Sequence, residues 1–209
     1  MRGEKLLAGR NLLAGLIVLG ASALAGCSTS GGPMSFGPSY GAVSDAGYHL
    51  PSIPTQKVPE QFRRQTVSYA SKEKPGTIIV DTGERHLYFI LANGKAVRYG
   101  IGVGRQGFTW HGTARIALKR EWPSWTPPKE MIARKPELAK FRDGMDPGVT
   151  NPLGARAMYL GSSLYRIHGS NEPQTIGQAV SSGCIRMTNE DVVDLFDRAR
   201  IGTKVVVER

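Results

Sequence analysis

Residues 77–103, TIIVDTGERHLYFILANGKAVRYGIGV, decide the fold class of this chain. Short runs rich in β-branched and aromatic residues predict strands over 77–80, 86–91 and 96–103. The dipeptide Asn93-Gly94 between the last two runs is typical of a tight hairpin turn, because both residues tolerate positive φ. The segment therefore predicts strands with hairpin connections. The 26 glycines and 13 prolines of the chain also favour strands and turns over a helical bundle.

The remaining sequence continues this pattern up to the C-terminus. Apolar runs predict strands over 115–118, 157–160, 165–168 and 205–207. A helix is predicted over 188–199, since Thr188 can cap its start and Val192, Leu195, Phe196 and Ala199 fall on one face. A second short helix is predicted near 129–133. We expect one mostly β domain over residues 75–209, with one or two short helices.

The segment 121–154 is punctuated by six prolines and predicts little regular structure. Long irregular segments inside compact domains are uncommon unless they are functional. We interpret this segment as a lid or wall of the active site. Trp122 and Trp125 within it either line a substrate channel or pack the lid.

Residues 1–26 have the layout of a secretory signal, with Arg2, Lys5 and Arg10 before an apolar run over 12–24. The run is shorter than the ~20 residues that a transmembrane helix needs. Leu24-Ala25-Gly26-Cys27 resembles a bacterial lipoprotein box, in which Cys27 becomes the lipidated first residue of the mature protein. The alternative is ordinary cleavage after an Ala-x-Ala sequence.

Residues 27–74 contain scattered Pro, Gly, Ser and Tyr without a sustained hydrophobic period. They are predicted to form a flexible periplasmic tether. Such a stalk suits a protein held at a membrane, and the lipid anchor at Cys27 would be its membrane contact. A serine after Cys27 favours the outer membrane under the aspartate rule of enteric bacteria.

The formal net charge is +10 at pH 7. Net charge informs about partners and not about the fold. Nucleic acid is not expected as a partner of an exported protein, whereas carboxylate-bearing peptidoglycan or anionic lipid headgroups are compatible with this charge. A basic solvated surface without a specific partner is an equal alternative.

The chain has two cysteines, Cys27 and Cys184. Lipidation or removal of Cys27 leaves Cys184 as a free thiol in an exported protein, where an unpaired cysteine is a liability unless it is used. His168 precedes it in Ile167-His168-Gly169-Ser170, and a nearby imidazole can take the proton that activates a thiol. Gly183 allows close approach of a substrate, and the backbone N–H groups at Gly183 and Cys184 are candidates for an oxyanion hole.

His-Gly followed by Ser-x-Gly-Cys-Ile-Arg-Met over 181–187 resembles the YkuD-type L,D-transpeptidase family, in the ErfK/YbiS/YcfS/YnhG branch. The similarity includes the blocks 151–156, 165–169 and 175–177, and covers residues 75–209. It implies a β-sandwich or irregular barrel. It also implies Cys184 as nucleophile, His168 as base and the carbonyl of Gly169 as the group that orients His168.

Many relatives have a histidine before the Gly-Cys pair and an asparagine two residues after the cysteine. This chain has Ser182 and Arg186 at those positions, so roles assigned to that histidine and asparagine do not transfer. Arg186 is a candidate for binding a stem-peptide carboxylate or for stabilising the thiolate, with a structural hydrogen-bonding role as the alternative. Ser182, Gly183 and Tyr159 are the other candidate substrate contacts, and Tyr159 faces either the site or the core.

The resemblance implies a peptidoglycan tetrapeptide stem as acyl donor. Cys184 would attack the carbonyl of meso-diaminopimelate, release the terminal D-alanine and pass the acyl group to an amine. A second stem as acceptor gives a 3→3 cross-link, a lysine of an outer-membrane lipoprotein gives a protein–wall tether, and water makes the enzyme an L,D-carboxypeptidase. A cysteine endopeptidase of wall peptides and a non-catalytic wall-binding module remain alternatives.

The other histidines are expected to be non-catalytic. His111 lies in a second His-Gly pair but has no cysteine motif at the right distance, while His86 begins a strand and His49 lies in the tether. No metal or cofactor is expected, because metal-binding spacings of Cys and His are missing from the sequence. Gly100-Ile101-Gly102-Val103-Gly104 has the wrong spacing for a dinucleotide-binding loop.

Overall fold

The computed structural model describes residues 40–54, 57–105 and 110–208. Thirteen strands and two α-helices are formed by these residues. The strands are β1 (Val43–Asp45), β2 (Tyr48–Leu50), β3 (Gln65–Ser68), β4 (Ile78–Asp81), β5 (His86–Ile90), β6 (Lys95–Gly100), β7 (Val103–Gly104), β8 (Gly112–Glu121), β9 (Arg156–Leu160), β10 (Arg166–His168), β11 (Ala179–Ser181), β12 (Ile185–Arg186) and β13 (Lys204–Glu208). The α-helices are α1 (Lys129–Arg134) and α2 (Asn189–Arg198), and short 3₁₀ helices span Glu60–Phe62, Pro136–Phe141 and Pro173–Thr175.

Nine strands form one sheet in the order β12-β10-β9-β8-β13-β4-β5-β6-β3. Neighbouring strands are antiparallel, except for the parallel pairs β10–β12 and β13–β4. Gly102, just after β6, forms an antiparallel bridge with Arg186 of β12, with mutual backbone hydrogen bonds of 2.9 and 2.8 Å. Since β12 is one edge of the sheet and β6 is the second strand from the other edge, this bridge brings the two ends of the sheet together. The mostly β fold and the irregular barrel are therefore confirmed.

The main hydrophobic core lies on the inner face of this curved sheet. It combines buried residues from strands near both ends of the sheet, including Tyr99 of β6 and Ile185 of β12. The apolar face of α2 completes it with Val192, Leu195 and Phe196, together with Ala199 just after the helix. Burial of apolar surface at this scale is the main stabilising term of a fold. The core therefore holds β10 and β12, the two strands that lead to the site.

Several local predictions are confirmed. Asn93 and Gly94 both have positive φ, 59° and 64°, at the turn between β5 and β6. The Thr188 hydroxyl caps α2 by accepting a hydrogen bond from the Asp191 N–H at 3.2 Å. The strand predicted over 96–103 is interrupted, however, and forms β6 and β7 on either side of Ile101 and Gly102.

The prediction of a flexible tether over 27–74 is wrong for the described part of that range. Residues 43–50 form the β1–β2 hairpin, and β3 pairs with β6 at the edge of the main sheet. Tyr40, Leu50, Val58 and Phe62 are buried. The sequence pattern misses this packing because each element is only three or four residues long, too short to show a hydrophobic period. The domain therefore begins before residue 75.

The predicted signal peptide, residues 1–26, and the predicted lipidation site Cys27 lie outside the described residues. None of the helices within the described ranges is long and apolar enough to span a membrane.

Candidate active site

The parallel pairing of β10 with β12 fixes the side on which the predicted catalytic residues lie. Ile167 is opposite Ile185, and His168 is opposite Arg186. Side chains alternate along a strand, so residues two positions apart share a face. Ile167 and Ile185 enter the core, which directs His168 and Arg186 to the other face. Cys184, two positions before Arg186, belongs to this second face as well.

A cavity of about 620 Å³ opens on that face. It is lined by Cys184, His168, Arg186 and Ser182, together with basic and apolar side chains from four other parts of the chain. The fold thus brings together the predicted nucleophile, the predicted base and two of the predicted substrate contacts. A volume of this size falls in the usual range for a small-ligand site.

His168 is only 4% exposed and is oriented by the residue that follows it. Its Nδ1 lies 2.6 Å from the carbonyl oxygen of Gly169. A carbonyl only accepts hydrogen bonds, so Nδ1 carries the proton and donates it to this bond. In the neutral imidazole this leaves Nε2 as a proton acceptor. The Gly169 N–H in turn donates to the carbonyl of Arg156 at 3.0 Å, which holds the orienting peptide in place.

Burial lowers the pKa of His168 from 6.5 to about 3, and the positive charges of Arg186 and Arg166 add to this effect. The hydrogen bond to Gly169 acts in the opposite direction but is outweighed. The imidazole is therefore neutral at physiological pH, the form in which a histidine can accept a proton.

The loop that carries Cys184 is held by Ser181. The Ser181 hydroxyl donates to the Cys184 carbonyl at 2.7 Å and accepts from the Gly183 N–H at 3.2 Å. Gly183 adopts φ 107°, a conformation that favours glycine. The Cys184 Sγ lies 3.9 Å from the Leu164 carbonyl oxygen and is partly exposed to the cavity. Sequence reasoning assigned no role to Ser181, and only its place in the motif pointed to it.

Positive charge dominates the cavity lining. Arg105, Arg134, Lys135, Arg166 and Arg186 all contribute to it, whereas Glu172 is the one acidic residue among the described lining residues. Glu172 Oε2 forms an ion pair with Arg186 Nη1 at 3.1 Å. Neither Glu172 nor the additional cations were predicted from the sequence, because they come from separate loops. The cavity is suited to a ligand that carries carboxylates.

The segment 121–154 forms one wall of the cavity. The sequence predicts this segment to be either a lid or a wall. Trp125, Pro128, Met131, Leu138 and Leu153 contribute its apolar surface. Trp122 instead packs outside the cavity, where its ring stacks on Tyr48 at 4.1 Å between centroids. The segment is also more regular than predicted, since it contains α1 and the 3₁₀ helix Pro136–Phe141.

Tyr159 and Gly183 are not among the side chains that line the cavity. The Tyr159 ring lies 5.2 Å from Arg166 Cζ and supports a residue that does line it. His111 and His49 are exposed, and His86 Nε2 lies 3.0 Å from the Gln61 carbonyl oxygen, away from the cavity. Within the described ranges, no group of three or more His, Cys, Asp and Glu is arranged to hold a metal ion.

Comparison with known proteins gives one matching family. The sequence model of YkuD, the L,D-transpeptidase catalytic domain, matches residues 75–207. The Escherichia coli K12 proteins named probable L,D-transpeptidase ErfK/SrfK and YbiS are 37% and 34% identical over 139 and 134 residues. These alignments cover 62% and 61% of this chain, but only 43% of each relative.

Among solved structures, a Brucella melitensis protein described as a probable carnitine operon oxidoreductase is 50% identical to this chain. The match covers 72% of this chain and 96% of that protein, with a TM-score of 0.49. That description refers to the Brucella protein alone.

Proposed function

Because the chain belongs to the YkuD family of L,D-transpeptidase catalytic domains, we propose that it is a peptidoglycan L,D-transpeptidase with Cys184 as nucleophile and His168 as general base. The observation that carries this proposal is the shared face of β10 and β12. It places a neutral, oriented imidazole and a partly exposed thiol in one cavity.

The first step is activation of the thiol. The Cys184 Sγ–H bond breaks as the sulfur attacks the carbonyl carbon of meso-diaminopimelate, and the proton passes to His168 Nε2. The Nδ1–H bond to Gly169 keeps the ring in the tautomer that this transfer requires. A carbonyl in place of a carboxylate orients the ring without adding a negative charge. The imidazolium that forms is therefore acidic enough to return its proton to the leaving amine.

Negative charge that develops on the substrate oxygen needs hydrogen-bond donors nearby. The Gly183 N–H already donates to Ser181 Oγ at 3.2 Å, so we assign the oxyanion contact to the Cys184 N–H, assisted by the positive charge of the cavity. This narrows the sequence-based prediction, which included both N–H groups.

The basic lining supports a tetrapeptide stem as donor. A stem ending in D-alanine carries a terminal carboxylate and further carboxylates along its length, and arginine binds such groups through charge-assisted hydrogen bonds. We propose Arg186 as a carboxylate contact, because it lies directly opposite His168 in the paired strands β10 and β12. Ser182 is a second contact from the same loop.

Collapse of the tetrahedral intermediate releases D-alanine, which takes the proton from His168, and leaves a thioester on Cys184. An amine acceptor then attacks the thioester carbonyl and loses a proton to His168. The C–S bond breaks, and the Cys184 thiolate takes that proton from His168, which restores the thiol and the neutral imidazole. We propose a second stem as the acceptor, giving a 3→3 cross-link, while an outer-membrane lipoprotein lysine or water gives the other two products. We also propose an exported, periplasmic protein with its anchor at Cys27.

Product analysis tests the proposed activity. The full chain is purified in detergent, incubated with disaccharide-tetrapeptide and examined by mass spectrometry beside Cys184→Ala. The expected result is loss of D-alanine with formation of a 3→3 dimer, and neither in the variant. If D-alanine is lost but no dimer or other amine adduct forms, even after an amine acceptor is added, the enzyme is a carboxypeptidase and not a transpeptidase. An unchanged substrate would contradict the proposal.

A further inference from the structure

Residues 40–54 and 57–64 precede the region that matches the family, and we name them the strap. We propose that the strap is a positioning element for the active site, which fixes the segment 176–191, the one that bears Cys184, from both of its ends. The inference rests on the proposed function, since it assigns the strap a role in the same reaction. Three sets of contacts carry it.

The first contact lies at the N-terminal end of the segment 176–191. Phe62 forms a small buried cluster with Val58 and Ile176. Gly177 has φ +83°, and a Cβ at this position would overlap the Phe62 ring. A Cβ on Gly100 would likewise overlap Phe62, at its backbone and Cβ. Phe62 therefore packs directly on the turn at Ile176 and Gly177, in space that two glycines leave open.

The second set of contacts connects that turn to Cys184. The Gly177 N–H donates to the Ile101 carbonyl at 3.0 Å, and the Val103 N–H donates to the Gln178 carbonyl at 3.0 Å. The next residues form β11, which pairs with β7 and ends at Ser181. Ser181 Oγ then holds the Cys184 carbonyl at 2.7 Å. A displacement at Gly177 is thus passed through a short hydrogen-bonded strand to the nucleophile.

The third set lies at the C-terminal end of the segment 176–191, where α2 begins. The Tyr40 hydroxyl donates to Asp191 Oδ2 at 3.0 Å and accepts from the Arg64 N–H at 3.0 Å, so it joins the two ends of the strap. Arg64 Nη1 lies 3.7 Å from Asp191 Oδ1. Asp191 is fully buried in the first turn of α2, and two residues separate the end of β12 from the start of this helix. The strap therefore braces the residues that follow Cys184 as well.

These contacts predict that a substitution in the strap lowers the rate of Cys184 acylation more than it lowers the stability of the fold. Misplacement of a reacting group by about 1 Å can cost roughly 100-fold in rate. Loss of the Phe62 ring removes the packing that holds the Gly177 turn, while the core on the inner face of the sheet remains. We therefore expect a lower rate of acylation of Cys184 at saturating substrate, with little change in the half-saturating concentration.

The experiment compares three variants of the full chain: Phe62→Ala, Phe62→Leu as the conservative change, and Ile79→Ala as the control. Ile79 is 3% exposed and Phe62 8%, but Ile79 lies in a separate cluster on the other face of the sheet. The acylation rate with a carbapenem is followed by mass spectrometry of the Cys184 peptide, at a temperature where thermal melting shows all variants to be folded.

The proposal predicts a loss of roughly tenfold or more in Phe62→Ala, partial recovery in Phe62→Leu and a change of less than about twofold in Ile79→Ala. Equal rates for Phe62→Ala and wild type, or an equal loss in Ile79→Ala, would overturn it. If Phe62→Ala does not fold, Tyr40→Phe takes its place, and an unchanged rate there would also overturn the proposal. A wild-type chain that is not acylated at Cys184 would instead refute the proposed function.

Discussion

Replacement of Asp45 by asparagine is expected to destabilise the domain strongly, although Asp45 lies in the range that the sequence assigns to a flexible tether. Its carboxylate accepts two hydrogen bonds from Arg156, at 2.7 and 2.8 Å, and a third from Trp122 Nε1 at 2.7 Å. Arg156 is only 5% exposed. Asp45→Asn therefore leaves a buried guanidinium without its main counter-ion.

Removal of one partner from a buried ion pair costs roughly 3–5 kcal/mol. Asp45→Asn should lower the free energy of unfolding by an amount near the lower end of this range, about 3 kcal/mol. The reason is that Glu121 remains 3.9 Å from Arg156 and the Asp45 side chain is 17% exposed. For a domain of this size, that corresponds to a decrease of roughly 6–12 °C in melting temperature. Thermal unfolding followed by circular dichroism measures it.

The control is Glu73→Gln, which removes one partner of the ion pair with Lys204. This pair is as short, 2.6 Å, but its side chains are 29% and 35% exposed. Exposed pairs contribute about 0–1 kcal/mol, so the melting temperature should change by less than roughly 4 °C. Equal, small effects of both substitutions would refute the docking of β1 on the domain.

The pH dependence of the same pair gives an independent check. The hydrogen bonds from Arg156 hold the pKa of Asp45 below its ordinary value of 3.8. A carboxyl group with a depressed pKa stabilises the folded state above its unfolded pKa, and this contribution is lost as the pH falls below about 4. The difference in stability between wild type and Asp45→Asn should therefore shrink in that range.

Three further predictions concern the site and its support. His168 should remain neutral in NMR titrations from pH 7 to 5, since its pKa is lowered to about 3. In the unfolded chain this histidine binds a proton below about pH 6.5, so its burial should lower the free energy of unfolding as the pH falls from about 6.5 towards 3. Protonation of His168 near pH 6.5 in the folded state would contradict both predictions. Arg186→Gln should raise KM for the tetrapeptide roughly tenfold or more through loss of a charged hydrogen bond, and an unchanged KM would exclude Arg186 as a carboxylate contact. Thr188→Ala should cost about 1 kcal/mol through loss of the α2 cap, and an unchanged melting temperature would contradict that role.

The features that the sequence predicts well are those set by neighbouring residues. Asn93-Gly94 specifies its turn through two residues that accept positive φ, and Thr188 specifies the start of α2 through one side chain. The face of α2 follows from the spacing of its apolar residues. The shared family motif also predicts that His168 and Cys184 act together; the structure shows that both line one cavity beside the paired strands β10 and β12, while their catalytic roles remain a proposal.

The features that the sequence does not predict depend on residues that are far apart in the chain. Asp45 and Arg156 are 111 positions apart, and Tyr40 and Asp191 are 151 apart. The pairing of β3 with β6 depends on an edge that only the folded sheet presents. Such contacts leave no local pattern, which is why residues 40–68 resembled a tether.

The proposed activity depends on one step, in which Cys184 forms a thioester with the donor stem and His168 acts as general base. The most direct test is acid quenching of the full chain during reaction with disaccharide-tetrapeptide, followed by mapping of the acyl adduct by mass spectrometry in wild type, Cys184→Ala and His168→Gln. We predict an adduct on the Cys184 peptide of the wild type, none in Cys184→Ala and a strongly reduced rate of formation in His168→Gln. An adduct at another residue, or undiminished formation in His168→Gln, would contradict the claim.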